Sequence, residues 1–324
     1  MCEKIATIIN YCSNDYPFLK EAIYQANKFS KKVIVVASDH FFDGQKEDLN
    51  QLENSFSEFD FATFIIYPFI PEKIPRRILK KVRENVLFHS VSRMVGSSFL
   101  GKDIDHVLFL DVDEIVDGDR FKAWLGEKHY LGYDVLRPAN YWYFKSPSSQ
   151  AKKWEDSAVF IKRKKIKRKA LLDSTERDAI FDTVKGNKKR NVLGLDNLPM
   201  IHHYSWVKTK KQMLTKVNSW GHKDDKDWRD LVEKEFEKTG MGKDFIHGYD
   251  LIKVESFVEI DINGIEDKRT KMSKKNQIKE PNIIHLSEVA LLKMIKKRSI
   301  KDYIHCYFEK FKIFEKKYLN KRLD

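Results

Sequence analysis

The chain has 324 residues, of which 42% are apolar and 13% aromatic, enough to build a core and too many for a wholly disordered protein. Eight Pro and 13 Gly are too few for a linker-rich or fibrous chain. The 61 Lys and Arg against 48 Asp and Glu leave a net charge of +13, which draws phosphates, anionic lipids or nucleic acid but does not choose a fold; an AT-rich genome would give the same Lys-rich bias. Cys2, Cys12 and Cys306 lie far apart, with neither metal spacing nor a disulfide framework, so a reducing compartment is expected. The apolar run before Asn10 is too short for a signal peptide, and no stretch approaches the ~18 apolar residues of a membrane span. These features predict a cytoplasmic protein, with association at the cytoplasmic face of a membrane left open.

In chain order, Ile5 to Asn10 is a β-branched run that reads as a buried strand. Pro17 suits the first turn of a helix running to Phe29. Lys32 to Ala37 reads as a second strand, ending at Ser38-Asp39-His40. Asn50 to Phe59 reads as a helix, and Phe61 to Tyr67 as a third strand closed by Pro68. Apolar residues at three-and-four spacing predict a long helix over 76–100. Asp105 to Val116 reads as one apolar strand running into acid. Strands alternating with helices predict an α/β fold, a Rossmann-like, mainly parallel sheet covered on both faces. Ligands of such sheets bind beyond the carboxyl ends of the strands, where Asn10, Asp39, Asp111 and Asp113 fall.

After residue 130 the pattern changes. Tyr133 to Tyr143 and Ser157 to Arg163 read as strands, and Asn197 to Trp206 as loop then strand. Thr209 to Trp220 reads as a helix. Residues 264–324 hold 17 Lys and Arg against 8 Asp and Glu, so most of the positive charge lies there, in what reads as a basic helical C-terminal extension. Its apolar face over Tyr303 to Leu319 suits packing on the domain, peripheral membrane contact or a homodimer. The expected division is a catalytic unit over 1–263, with a nucleotide-binding half (1–116) and an acceptor and metal-completing half (117–263), followed by 264–324.

The sharpest feature is Asp111-Val112-Asp113-Glu114, directly after the apolar strand. Alternation along an extended chain would put Asp111 and Asp113 on one side, about 6–7 Å apart. Hard oxygen ligands at the mouth of a sheet suit Mn²⁺ or Mg²⁺ shared with a diphosphate. The plain alternative is a solvated loop whose acids cap the next helix.

The segments HVLFLDVDEI and IATIINYCSND, with a second strand ending in Ser-Asp, resemble glycosyltransferases of the GT-A fold, family 2-like, over roughly residues 3 to 230. The resemblance implies transfer of a sugar from a UDP- or GDP-sugar to a glycan, lipid or protein acceptor, metal-dependent and inverting. It places Asn10, Asp15 and Asp39 against the nucleoside. It matches Asp111 to the nucleotide-facing acid and metal site, and Asp113 to the metal. Arg83, Asn85 or Arg93 of the long helix would lie near the nucleotide. The late segment His202-His203-Tyr204-Ser205-Trp206 implies a histidine ligand, with His203 the better match and His202 the second. Lys208 just beyond would meet the diphosphate. An inverting enzyme needs a carboxylate to take the acceptor proton. Glu155 and Asp156 match by order, with Asp182 as a rival, and Tyr141, Trp142, Tyr143, Phe144 and Trp154 would form an acceptor platform.

Two other classes stay in view. A basic nucleic-acid-binding protein would explain the charge but not the acids at a strand end, and no recognition module is legible, so no specific nucleic-acid partner is expected. A nucleotidyltransferase acting on sugar phosphates would also use acids, but Ser13-Asn14-Asp15 is no Gly-rich phosphate loop.

Overall fold

The computed structural model describes residues 4–41, 44–74, 84–219, 226–238, 242–262 and 281–296. Along the chain, β1 (Ile5–Tyr11) leads to α1 (Tyr16–Asn27), β2 (Lys32–Ser38), α2 (Leu49–Asn54), β3 (Thr63–Tyr67) and α3 (Glu84–Ser98). Then follow β4 (His106–Asp111), β5 (Glu114–Val116) and α4 (Gly118–Gly126). Next come β6 (Val135–Pro138), β7 (Asn140–Phe144), β8 (Ser149–Glu155) and β9 (Val159–Lys162). The rest comprises α5 (Arg168–Leu171), α6 (Arg177–Phe181), β10 (Lys189–Val192), β11 (Ile201–Trp206), α7 (Lys210–Ser219), α8 (Trp228–Glu237), β12 (Leu251–Lys253), β13 (Asn282–His285) and α9 (Glu288–Lys296).

The main sheet has the order β10-β6-β9-β4-β1-β2-β3-β13, and only β9 runs against its neighbours. This is the mainly parallel sheet expected from the alternation. Its central strands are apolar on both sides because both faces are covered. On one face Ile9, Val35 and Phe64 pack with Phe18, Leu19 and Ile23 of α1. On the other, Ile8, Val36 and Ile65 pack with Phe88, Val91 and Val95 of α3. Helix α3 lies so close that a Cβ on Gly96 would come within 2.5 Å of Ile8 Cγ2. That approach fixes the depth of α3, and with it the side chains α3 sends to the sheet's carboxyl edge.

Three readings change. The single strand expected over 105–116 breaks after Asp111. Val112 N–H donates to Asn10 O (2.9 Å), Asp111 N–H donates to Glu114 Oε2 (2.8 Å), and the chain crosses into a second sheet of order β12-β8-β7-β11-β5. Asp111 and Asp113 therefore do not share the face of one extended strand. The strand expected over 133–143 likewise divides between the sheets, with Ala139 at the switch, where its N–H donates to Val192 O (2.9 Å). Finally, the extension expected as helical contributes a strand: β13 pairs in parallel with β3, and α9 buries Leu291, Met294 and Ile295 against the same core as α3. The β-branched pair Ile283-Ile284 explains the strand. The apolar pattern over Tyr303–Leu319 lies outside the described residues. Among the described residues, no helix is long and apolar enough to cross a membrane.

Candidate active site

The two sheets meet at the carboxyl ends of β1 and β4. A cavity of about 290 Å³ opens there, lined by Asn10, Asp15, Asp111, Asp113, His203 and Lys208, together with Ser38, His40, His89, Glu176, Arg177 and Lys216. Residues nearly two hundred positions apart in sequence thus face one space, at the edge where α/β sheets bind ligands.

Asp111 anchors one wall. Asn10 Nδ2 donates to its Oδ1 at 3.1 Å, Arg93 Nη2 to the same oxygen at 2.9 Å, and Arg177 Nη2 lies 3.0 Å from Oδ2. Burial would raise its pKa, but Arg177, Arg93 and His89 outweigh that and hold the carboxyl well below its ordinary range. Arg177 also pairs with Glu114, which is fully buried and accepts from Ser157 Oγ. His89 Nδ1 is 2.9 Å from Glu176 Oε2, and Arg93 Nη1 is 3.3 Å from the same oxygen. Burial alone would make His89 harder to protonate; Glu176 and Asp111 prevail and push it up to about 9. Glu176 has a left-handed φ of 49°, a backbone cost of about 1–3 kcal/mol that its ion pairs offset.

A second group on the lining sets lysines against carboxylates. Lys208, only 4% exposed, pairs with Asp15. Lys216 donates to Ser205 O at 2.8 Å and to Ser205 Oγ at 2.6 Å, and its Nζ is 3.8 Å from Asp113 Oδ2. Asp113 Oδ1 is 3.8 Å from His203 Nε2. Burial raises the Asp113 carboxyl's pKa, with Lys216 opposing and Asp15 reinforcing.

The expected metal set is not assembled. Among the described residues, no three His, Cys, Asp or Glu side chains gather to hold an ion. Both oxygens of Asp111 face guanidinium groups. His202 and His203 alternate along β11, so only His203 faces the cavity; His202 shares a 2.7 Å hydrogen bond with Tyr143, stacks on Phe257, and is driven by burial down to about 3. Asp113 and His203 remain as a pair, but an ammonium stands beside Asp113. As arranged, these residues do not fit Mn²⁺ or Mg²⁺.

Asp39 accepts from Phe69 N–H (2.7 Å) and bonds His40 Nδ1 (2.6 Å), holding His40 at the cavity rim. Arg83 lies outside the described residues, as does the side chain of Asn85. Of the three base candidates, Glu155 stands behind the cavity wall, 3.9 Å from His203 Nδ1 and 3.4 Å from His247 Nε2. Asp156 is turned away to Asn191 and Arg137. Asp182 is exposed and paired with Lys189 at 2.6 Å. The aromatic platform is mostly core: Trp142, Tyr143 and Phe144 are buried, whereas Trp154 is 45% exposed. His89, Glu176, Arg177 and Lys216 carried no signal in the sequence, and Glu114 showed only as the last acid of the Asp111–Glu114 run.

No family model matches the chain, and no curated protein matches it. Among solved structures, it is similar to 4-diphosphocytidyl-2C-methyl-D-erythritol synthase from Anaerococcus prevotii DSM 20548, at 10% identity over 65% of this chain and 94% of that one, with a TM-score of 0.40. It is similar to the glycosyltransferase GlyE of Streptococcus pneumoniae TIGR4, at 14% identity over 75% and 67%, TM-score 0.35. A third likeness is to an active-site mutant of LgtC, at 10% identity over 71% and 95%, TM-score 0.37.

Proposed function

We propose that the protein transfers a sugar from a nucleoside-diphosphate sugar to a hydroxyl acceptor, as the GT-A-type glycosyltransferases that its sequence resembles do. The observation that carries this reading is the meeting of Asn10, Asp15, Asp111, Asp113, His203 and Lys208 in one cavity at the carboxyl ends of β1 and β4. The nucleoside would lie over Asn10, Ser38 and His40, with the rigid Asp111 carboxylate as an acceptor for ribose hydroxyls. Lys208 would face the diphosphate. The acceptor would enter from the side of Trp154 and Glu155, and Glu155, behind His203, would receive its proton. The acceptor oxygen attacks the anomeric carbon, the bond to the diphosphate oxygen breaks, the proton passes to Glu155, and the nucleoside diphosphate departs with the bonding electrons. Burial would raise the Glu155 carboxyl's pKa, but His203 and His247 outweigh that and keep it ionised at neutral pH, ready to accept.

The test is incubation of the full chain with a panel of UDP-, GDP- and CDP-sugars, followed by NMR. Release of nucleoside diphosphate and a free sugar from one donor supports the reading, and the first anomer formed reports inversion or retention. No turnover and no binding of any donor would refute it.

A further inference from the structure

We infer that the ammonium pair Lys208 and Lys216, rather than a divalent cation, meets the diphosphate of the donor. This rests on the proposed transfer from a nucleoside-diphosphate sugar and specifies how its leaving group is stabilised.

Both lysines line the cavity. Lys208 follows β11 and Lys216 comes from the second turn of α7, so two neighbouring elements deliver two ammonium groups to one wall. Each is held in place. Lys208 pairs with Asp15 at the start of α1, and Lys216 is fixed by the carbonyl and hydroxyl of Ser205. Each ammonium has one carboxylate neighbour, Lys208 in its pair with Asp15 and Lys216 at 3.8 Å from Asp113, so two carboxylates share a wall with two cations that can each take a further anionic oxygen. A diphosphate supplies several negative oxygens at once.

The other cations lining or backing the site, His89 among them, each lie between two carboxylates. Arg177 is held between Asp111 and Glu114, and Arg93 is 1% exposed between Asp111 and Glu176. Asp113, the residue expected to hold a metal, instead faces the Lys216 ammonium at 3.8 Å. Two fixed ammonium groups, each beside a carboxylate, therefore already stand on this wall. As the glycosidic bond breaks, negative charge grows on the departing oxygen, and fixed ammonium groups stabilise it without reorganisation.

The experiment is calorimetry on the full chain with UDP, GDP and CDP and the matching monophosphates, each in EDTA and in Mn²⁺. The expected result is a diphosphate Kd that agrees within about threefold between EDTA and Mn²⁺. Lys216→Met should weaken the diphosphate by tenfold or more and the monophosphate by less than about threefold, while Lys216→Arg keeps most of the affinity. Diphosphate binding seen only with Mn²⁺ would overturn the inference and leave the transferase reading standing. So would a well-folded Lys216→Met that binds the diphosphate as the parent does. If no nucleotide binds in either buffer, the transferase reading falls and the inference with it. The EDTA comparison uses the unaltered protein, so it decides the question even where a variant fails to fold.

Discussion

His106 offers a test of the fold's electrostatics that is independent of the active site. It lies in β4 opposite Lys162 of β9, is 7% exposed, stacks on Phe160 at 5.2 Å and meets Tyr130 edge-on at 5.0 Å. Its Nε2 is buried without a hydrogen-bond partner. Burial, with Lys162 adding to it, pushes its pKa down from 6.5 to about 4. The folded state thus keeps the ring neutral where the unfolded chain takes up a proton. Its contribution is fully present above pH 6.5 and is lost as pH falls toward 4. Linkage over that interval gives about 2 kcal/mol lost by pH 5, and solvent screening at the strand's end reduces this to about 1–2 kcal/mol. His106→Phe keeps the aromatic packing and removes the titration. In urea titrations at pH 7.5 and 5.0, the variant should therefore lose about 1–2 kcal/mol less than the parent between the two pH values. Equal losses in both proteins would refute the assignment of a neutral, destabilised His106. The variant also has a practical use: it separates acid loss of the fold from titration of a catalytic group in an activity profile.

Gly96→Ala would force Ile8 or α3 to move and should cost about 1–3 kcal/mol in the same urea assay, lowering activity as well because α3 carries His89 and Arg93. Arg93→Met removes the cation shared by Asp111 and Glu176, leaving Arg177 on the first and His89 on the second; a loss of about 1.5–3 kcal/mol is expected, read as a drop in Tm, and an unchanged Tm would contradict the network. Glu155→Gln should lower kcat by about 10²–10⁴ with donor affinity unchanged, if Glu155 takes the acceptor proton. Asp182→Asn, at an exposed ion pair, should leave turnover within about twofold and stability within about 1 kcal/mol, so a large loss there would restore Asp182 as the base.

Much of the sheet was legible because its strands are short β-branched runs separated by helices of recognisable period. β1, β2 and β4, and the edge where their polar residues emerge, follow from local pattern alone. So does the position of Asp111 at that edge, an acid ending an apolar strand. The sequence could not show that the chain turns between Asp111 and Asp113, because the turn is held by the Asn10 carbonyl, which the pairing of β1 with β4 brings to the Val112 N–H, and by the buried Glu114 side chain, which accepts from the Asp111 N–H. Nor could it separate His202 from His203: both are plausible ligands in a string, and only the register of β11 between β5 and β7 turns one into aromatic packing and the other into the cavity. Glu155 and Asp156 are distinguished in the same way, by the end of β8. The charge of the site was the least legible part. Arg177 and Lys216 look like ordinary surface cations in a basic chain, and it is their burial against Asp111 and Asp113 that changes their meaning. Local periodicity determines which segments become strands and helices. Which charges are brought together, and whether an acid has room for a metal or already faces an ammonium, depends on contacts between distant segments, and the tertiary structure alone decides it.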